Sequence, residues 1–210
     1  MVFLKFLIFT ISVILLSLST SVLVEYFHCR RPQYDPRLWN HGSIQTYNNC
    51  YIYALNRPKT SRTRKTSPGL GYHKGGGNKG TSDIGRDYSN YTCDYFDKLI
   101  KNDIPGAIKF DVDSVERVKC PSSHYEIALA LDDEGDNDFH FYRKDCNTKY
   151  WSHKPGSSPV TKEDASGKLI LDPQKSDRDF PNHNYNNFCG YYCIPNKPNV
   201  YEDTKRQLGL

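Results

Sequence analysis

The first hydrophobic pattern along the chain has no polar period in it. Phe6–Val24 runs for 19 residues without a charge, with Lys5 just before it. About 20 apolar residues span a bilayer as a helix. The same stretch also reads as a signal peptide, with a basic start, an apolar core over Phe6–Leu16 and small residues Ser17, Ser19 and Ser21. Val22–Val24 extend the apolar run past any cut there, which favours an uncleaved anchor. Residues 1–24 are therefore expected to be a signal anchor or signal peptide that sends the rest into the secretory pathway, either held at the membrane or released.

Residues 25–47 are mostly polar, with Pro32, Pro36 and Arg30, Arg31 and Arg37. They read as a stalk or lead-in loop. Asn48–Leu55 reads as a short helix, because Asn48 or Asn49 can cap its free N–H groups and Pro58 follows its end. Residues 57–86 hold eight basic side chains against Asp83 alone, and seven glycines. This predicts a long, flexible basic loop. It lacks the G-x-x-x-x-G-K-[ST] order, so a nucleotide loop is rejected.

The helical period returns at Asp94–Asn102, where Tyr95, Phe96, Leu99 and Ile100 share a face. Alternation then takes over. His124–Leu131, Asp138–Asp145 and Tyr150–Lys154 read as strands of an antiparallel meander joined by short turns. Lys168–Leu171 is expected as a fourth strand and Asn187–Ile194 as a last one. The acidic turn after Leu131 does not match an EF-hand loop. The pattern predicts an α+β domain over residues 48–195, with short helices packed on a twisted antiparallel sheet, then a tail over 196–210.

Composition sharpens this picture. Only 37% of the 210 residues are hydrophobic, but 16 Tyr, 10 Phe and 2 Trp supply bulk that aliphatic residues do not. So many rings argue against wholesale disorder. The 25% charged residues, at net +4, exclude a polytopic membrane protein. Asn90-Tyr91-Thr92 is a glycosylation acceptor. The seven cysteines are Cys29, Cys50, Cys93, Cys120, Cys146, Cys189 and Cys193. In an oxidising compartment most should pair and one is left over. Cys189 and Cys193 have a spacing that zinc tolerates, but no second pair matches them and the setting favours disulfides.

Cys50 is the candidate for the leftover thiol and for a nucleophile. It opens a helix, where unpaired N–H groups and the helix dipole favour a thiolate. Such a nucleophile needs a base and a group that orients the base. His140 and His153 lie 13 residues apart across a predicted hairpin and suit those roles. Cys29 competes as the free thiol. His124 competes as the base, with Asp145 as its partner. Arg143 and Lys154 are expected as exposed strand residues. No metal or other cofactor is expected.

The order of a Cys-opened helix, a His-opened strand and a second His across a hairpin resembles the NlpC-type cell-wall peptidases. That resemblance implies a papain-like fold with Cys50, His140 and His153 as catalytic residues, although Tyr51 and Ile52 stand where that family has D-C-S-G. A second resemblance rests on N-C-Y-x-Y-A at Asn49–Ala54, D-F-H-F-Y-R-K-D at Asp138–Asp145, W-S-H-K-P-G at Trp151–Gly156, V-T-x-x-D-x-S-G at Val160–Gly167 and F-C-G-Y-Y-C at Phe188–Cys193. These look like a group of uncharacterised bacterial and giant-virus (mimivirus-type) proteins and imply no established activity.

Two functions follow as expectations. One is a papain-like thiol hydrolase or amidase acting by acyl transfer. The other is a non-enzymatic, disulfide-stapled module, secreted or membrane-anchored, that meets a host or surface protein through its Tyr-rich and basic loops. Nucleic acid is not expected as a partner.

Overall fold

A computed structural model describes residues 31–61, 68, 91–110, 120–134, 137–146, 148–197 and 199–210. The apolar segment 1–24, Cys29, the Asn90 acceptor and most of the basic loop lie outside the described residues. No helix among the described residues is long and apolar enough to cross a membrane.

The fold is α+β. Five strands form an antiparallel sheet: β1 (Ile108–Phe110), β2 (His124–Asp132), β3 (Asp138–Lys144), β4 (Trp151–His153) and β7 (Asn187–Pro195), in the order β1-β7-β2-β3-β4. The short strands β5 (Asp179–Phe180) and β6 (His183–Asn184) make a separate hairpin. The helices are α1 (Pro36–Trp39), α2 (Gly42–Tyr47), α3 (Cys50–Ala54), α4 (Cys93–Asp103) and α5 (Asn199–Leu208).

Both faces of the sheet are covered, which explains why β2 looks apolar rather than cleanly alternating. Ile127, Leu129 and Leu131 point to the face packed by α3 and α4, together with Phe139, Phe141, Phe96 and Ile100. Ala128 and Ala130 point the other way, where Tyr142, Trp151, Ile170 and Tyr185 fill the space. Small residues on that face leave room for rings. The segment from 160 to 185 therefore covers that face with side chains rather than with a full layer of regular structure.

Strand β7 changes face along its length. The register runs Leu129 opposite Gly190 but Ala130 opposite Phe188, so one extra residue bulges out. Gly190 takes φ 124°, a backbone region that glycine enters without strain. The bulge turns Cys189 toward the helix face and Phe188 toward the opposite face. Cys189 then meets Cys93, the first residue of α4, in a disulfide, while Cys193 bonds Cys120. Cys146 is also disulfide-bonded.

Several expectations change. The stretch expected as a stalk is built into the core from residue 31 on. Leu38, Trp39 and Ile44 of α1 and α2 are wholly buried with Ile52 and Tyr53 of α3, Val160 and Tyr201. The tail is helix α5, and its Tyr201 hydroxyl donates to Asp35 at 2.7 Å. The low density of apolar residues hid both, because each helix contributes only one or two side chains to a shared cluster. Lys168–Leu171 is no strand of the sheet; it makes one isolated bridge, Glu163 with Leu169. Strands β2, β3 and β4 form the expected antiparallel meander, and β7 joins it on the other side of β2, followed by β1. Strand β1 and the β5–β6 hairpin have too few residues to show alternation.

Arg143 and Lys154 are wholly buried rather than solvated. The Lys154 ammonium donates to the carbonyls of Gln45, Gly156 and Ser158 at 2.6–3.0 Å. Arg143 spends its guanidinium on four segments. It donates to Tyr53 O, Asn56 Oδ1, Gln33 O, the Tyr53 hydroxyl and Asp145 Oδ1, all between 2.9 and 3.2 Å. Its plane also stacks 4.0 Å from the Tyr53 ring centroid.

Replacing Arg143 with Met leaves Asp145 as an uncompensated buried charge. The expected loss is about 3–5 kcal/mol, the usual result of breaking a buried ion pair from one side. Urea denaturation of wild type and variant measures it. Arg143→Lys should recover only part of the loss, because an ammonium cannot reach four segments at once.

Candidate functional site

Strand β3 holds the candidate residues together. His140 and Tyr142 face the ring-filled side of the sheet, and Phe139 and Phe141 face the helices. His153, the last residue of β4, pairs with Tyr142, two positions from His140. The two imidazoles therefore meet diagonally on one face, with His140 Nε2 and His153 Nδ1 2.7 Å apart. His153 Nε2 lies 2.8 Å from the Glu163 carbonyl oxygen. That oxygen can only accept, so Nε2 of His153 carries its proton. Nδ1 of His153 then accepts from Nε2–H of His140, which leaves Nδ1 of His140 without a proton when both rings are neutral.

Rings enclose this pair. Tyr185 lies 4.9 Å from His140 and Phe180 5.8 Å from His153, both brought by the β5–β6 hairpin and the residues after it. Burial lowers the His153 pKa to about 4. Burial, and then His153 itself, push His140 well below the ordinary imidazole range. Both histidines are neutral at pH 7.

Cys50 sits at the start of α3, and Asn49 caps that helix by accepting from the Ile52 N–H at 3.2 Å. Asn48 does different work: its amide donates to Ile44 O and Lys59 O and accepts from the Lys59 N–H. The thiol is buried and is the free cysteine among the described residues. It donates to the Phe139 carbonyl at 3.6 Å. Strand β4 pairs with Tyr142, Arg143 and Lys144 and does not extend to Phe139. The thiol therefore caps a strand edge that β4 leaves open. Burial, then the Asp138 carboxylate, raise its pKa to about 12 against the backbone N–H groups of Phe141 and Tyr51 and the Lys154 ammonium. The helix-start position does not win: burial keeps the sulfur protonated.

The structure thus joins His140 with His153, while the hydrogen bond from Cys50 goes to the main chain one residue from His140. His124 is remote from this arrangement. It is opposite Pro195, with Nδ1 2.9 Å from Ser123 Oγ and Nε2 3.2 Å from Gly106 O. Asp145 pairs with Arg143, not with His124. Cys189 and Cys193 are bonded to other cysteines and make no zinc pair. Sequence reasoning missed Tyr185, Asp138, His183 and Asp132. The Tyr185 hydroxyl donates to Asp138 at 2.8 Å, and His183 lies between the carboxylates of Asp132 and Asp138 at 3.6 and 3.8 Å. The run H-N-Y-N-N at 183–187 gives no periodic signal that would reveal them.

The neutral pair sets a pH dependence. An unfolded histidine titrates near pH 6.5, whereas folded His153 titrates near 4. Between those values the unfolded chain holds more protons, so stability falls as pH drops below about 6.5 and this loss ends near 4. For His153 alone the full loss is about 3 kcal/mol. Urea midpoints between pH 4 and 7.5 measure it, and His153→Gln should flatten part of the slope.

No family model matches the sequence, and no solved structure matches it. The chain is similar to a protein of Ruditapes philippinarum described as "Insoluble matrix shell protein 1", with 29% identity over 163 residues, which is 77% of this chain and 89% of that protein.

Proposed function

We propose that the chain acts as a non-enzymatic, disulfide-stapled module outside the reducing cytosol, as a component of an extracellular matrix or surface. The observation that carries this reading is the state of its cysteines. Five of those described are oxidised into bridges, two of them on strand β7. Disulfides persist in oxidising compartments. The similarity to a shell matrix protein over most of both chains supports the same reading. The buried thiol, with its pKa at about 12 and its S–H donating to a backbone carbonyl, behaves as a core side chain.

A second reading has one observation in its favour. The chain of protons from His140 through His153 to the Glu163 carbonyl leaves Nδ1 of His140 unprotonated and able to accept. In a thiol hydrolase or amidase of papain-like type, Cys50 would attack, His140 would take its proton, and His153 would orient His140. Opening of the rings around the pair would have to lower the thiol pKa first.

Two measurements separate these readings. Under the module reading, iodoacetamide leaves Cys50 of the native protein unmodified and alkylates it once the chain is unfolded without reductant. Native alkylation with a rate that rises as an imidazole loses its proton would defeat that reading. A screen of peptide and peptidoglycan-like amides should show no turnover. Turnover that disappears in both Cys50→Ala and His140→Ala would establish the hydrolase instead.

A further inference from the structure

Strands β5 and β6 form a two-stranded sheet of their own. An isolated hairpin of two strands is marginally stable in water. Among the described residues, no backbone hydrogen bond joins residues 179–184 to the five-stranded sheet. None of those six residues is buried, whereas Tyr185 beside them is. The segment therefore depends on side chains for its position.

Its base is firm. The Arg178 guanidinium donates to the Tyr185 carbonyl at 2.8 Å, and the Tyr185 N–H donates to the Arg178 carbonyl at 3.1 Å. The same guanidinium donates to the carbonyls of Pro173, Gln174 and Ser176 at 2.6–3.3 Å. The Tyr185 hydroxyl ties this base to Asp138 on β3. Residues 178 and 185 are thus pinned to each other and to the sheet, and residues 179–184 project between them as one unit.

Two contacts hold that unit down. The Phe180 ring lies 5.8 Å from His153 and 6.2 Å from His140, centroid to centroid. His183 reaches two strands at once, with Nδ1 3.6 Å from Asp132 at the end of β2 and Nε2 3.8 Å from Asp138 at the start of β3. Those distances are too long for hydrogen bonds of a neutral ring. They still give a charged ring Coulomb attraction to both acids. The Tyr185 ring lies 5.7 Å from His183, and Glu134 and Asp179 line the same cavity as His183. All of these groups favour a cation there. His140 works the other way, since charge on His183 disfavours its protonation. Histidine is the side chain suited to gain or lose charge between pH 5 and 8.

We propose that residues 179–184 are a pH-controlled flap: charged His183 latches it to Asp132 and Asp138, and loss of that charge lets it lift Phe180 off His140 and His153. The flap governs access to the histidine pair and assigns the pair no chemistry, so it stands apart from both functional readings above.

The test uses the full chain and diethyl pyrocarbonate, which acylates neutral imidazole nitrogen. Peptide mass spectrometry reads the rate of modification at His140 and His153 at about pH 5.5 and about pH 8. Both rings of the pair are neutral across that range, so their own titration cannot change the rate. With reagent hydrolysis corrected for, the rate should be roughly threefold higher at the upper pH, the size expected for loss of a partly exposed ion pair. Amide hydrogen exchange should quicken over 179–184 and stay unchanged in β2, which separates flap motion from general loosening. His183→Gln should give the faster rate at both pH values, and His183→Lys, charged at both, the slower one. Equal wild-type rates with unchanged exchange over 179–184, a pH dependence that survives in His183→Gln, or a His183→Lys variant as fast as His183→Gln would each overturn the flap.

Discussion

The fold turns on a buried arginine. Arg143 lies next to the end of β3 with no exposed surface, and a guanidinium cannot shed its charge. Everything around it must therefore present oxygen. The carbonyl and hydroxyl of Tyr53 come from α3, the amide of Asn56 from the turn after it, the carbonyl of Gln33 from the N-terminal segment, and a carboxylate from Asp145. Asn56 meets this demand in a left-handed conformation, φ 52°, which also stops the helix. Helix α3 has only five residues and could not hold its own position. It is fixed because the arginine grips its carbonyl end while Asn49 caps its start.

That placement decides what the thiol can do. With α3 fixed against β3, the first residue of the helix lands at the edge that β4 leaves unpaired. The sulfur fills the gap by donating to a strand carbonyl, and its burial keeps it protonated. The histidine pair follows the same rule on the other face. Ala128 and Ala130 leave room for the imidazoles and for Tyr142, and Tyr185 and Phe180 close over them.

The sequence carried the parts of this arrangement that depend on period and on capping. The strands at 124–132, 138–144 and 187–195, the helix of Cys50 and the helix near 94 follow from alternation, spacing and an Asn cap. The meeting of His140 with His153 was legible only in part: the spacing sets them across one hairpin, but a one-residue slip would send them to opposite faces, and the register that pairs His153 with Tyr142 depends on a turn with no such signal. What the sequence did not carry was burial of charge. Arg143 and Lys154 look like solvated strand residues until one knows which carbonyls the fold delivers to them. The helices at 36–47 and 199–208 were missed for a related reason: their few apolar side chains make sense only as halves of one cluster. The turn of Cys189 to the helix face depends on a bulge at Gly190, and a single glycine in a strand does not announce which way the chain shifts.

The bridges on β7 have a mechanical meaning. Cys189 is bonded on one face of that strand and Cys193 on the other, to residues 96 and 73 positions away. If the chain is pulled from its ends, tension passes through sulfur from Cys93 to Cys189 and bypasses everything between them. About 330 Å of potential contour length, at ~3.4 Å per residue, is withheld from extension. Strands β1 to β6 are therefore spared the load and cannot be unravelled by it, and only the segments outside the loop can lengthen.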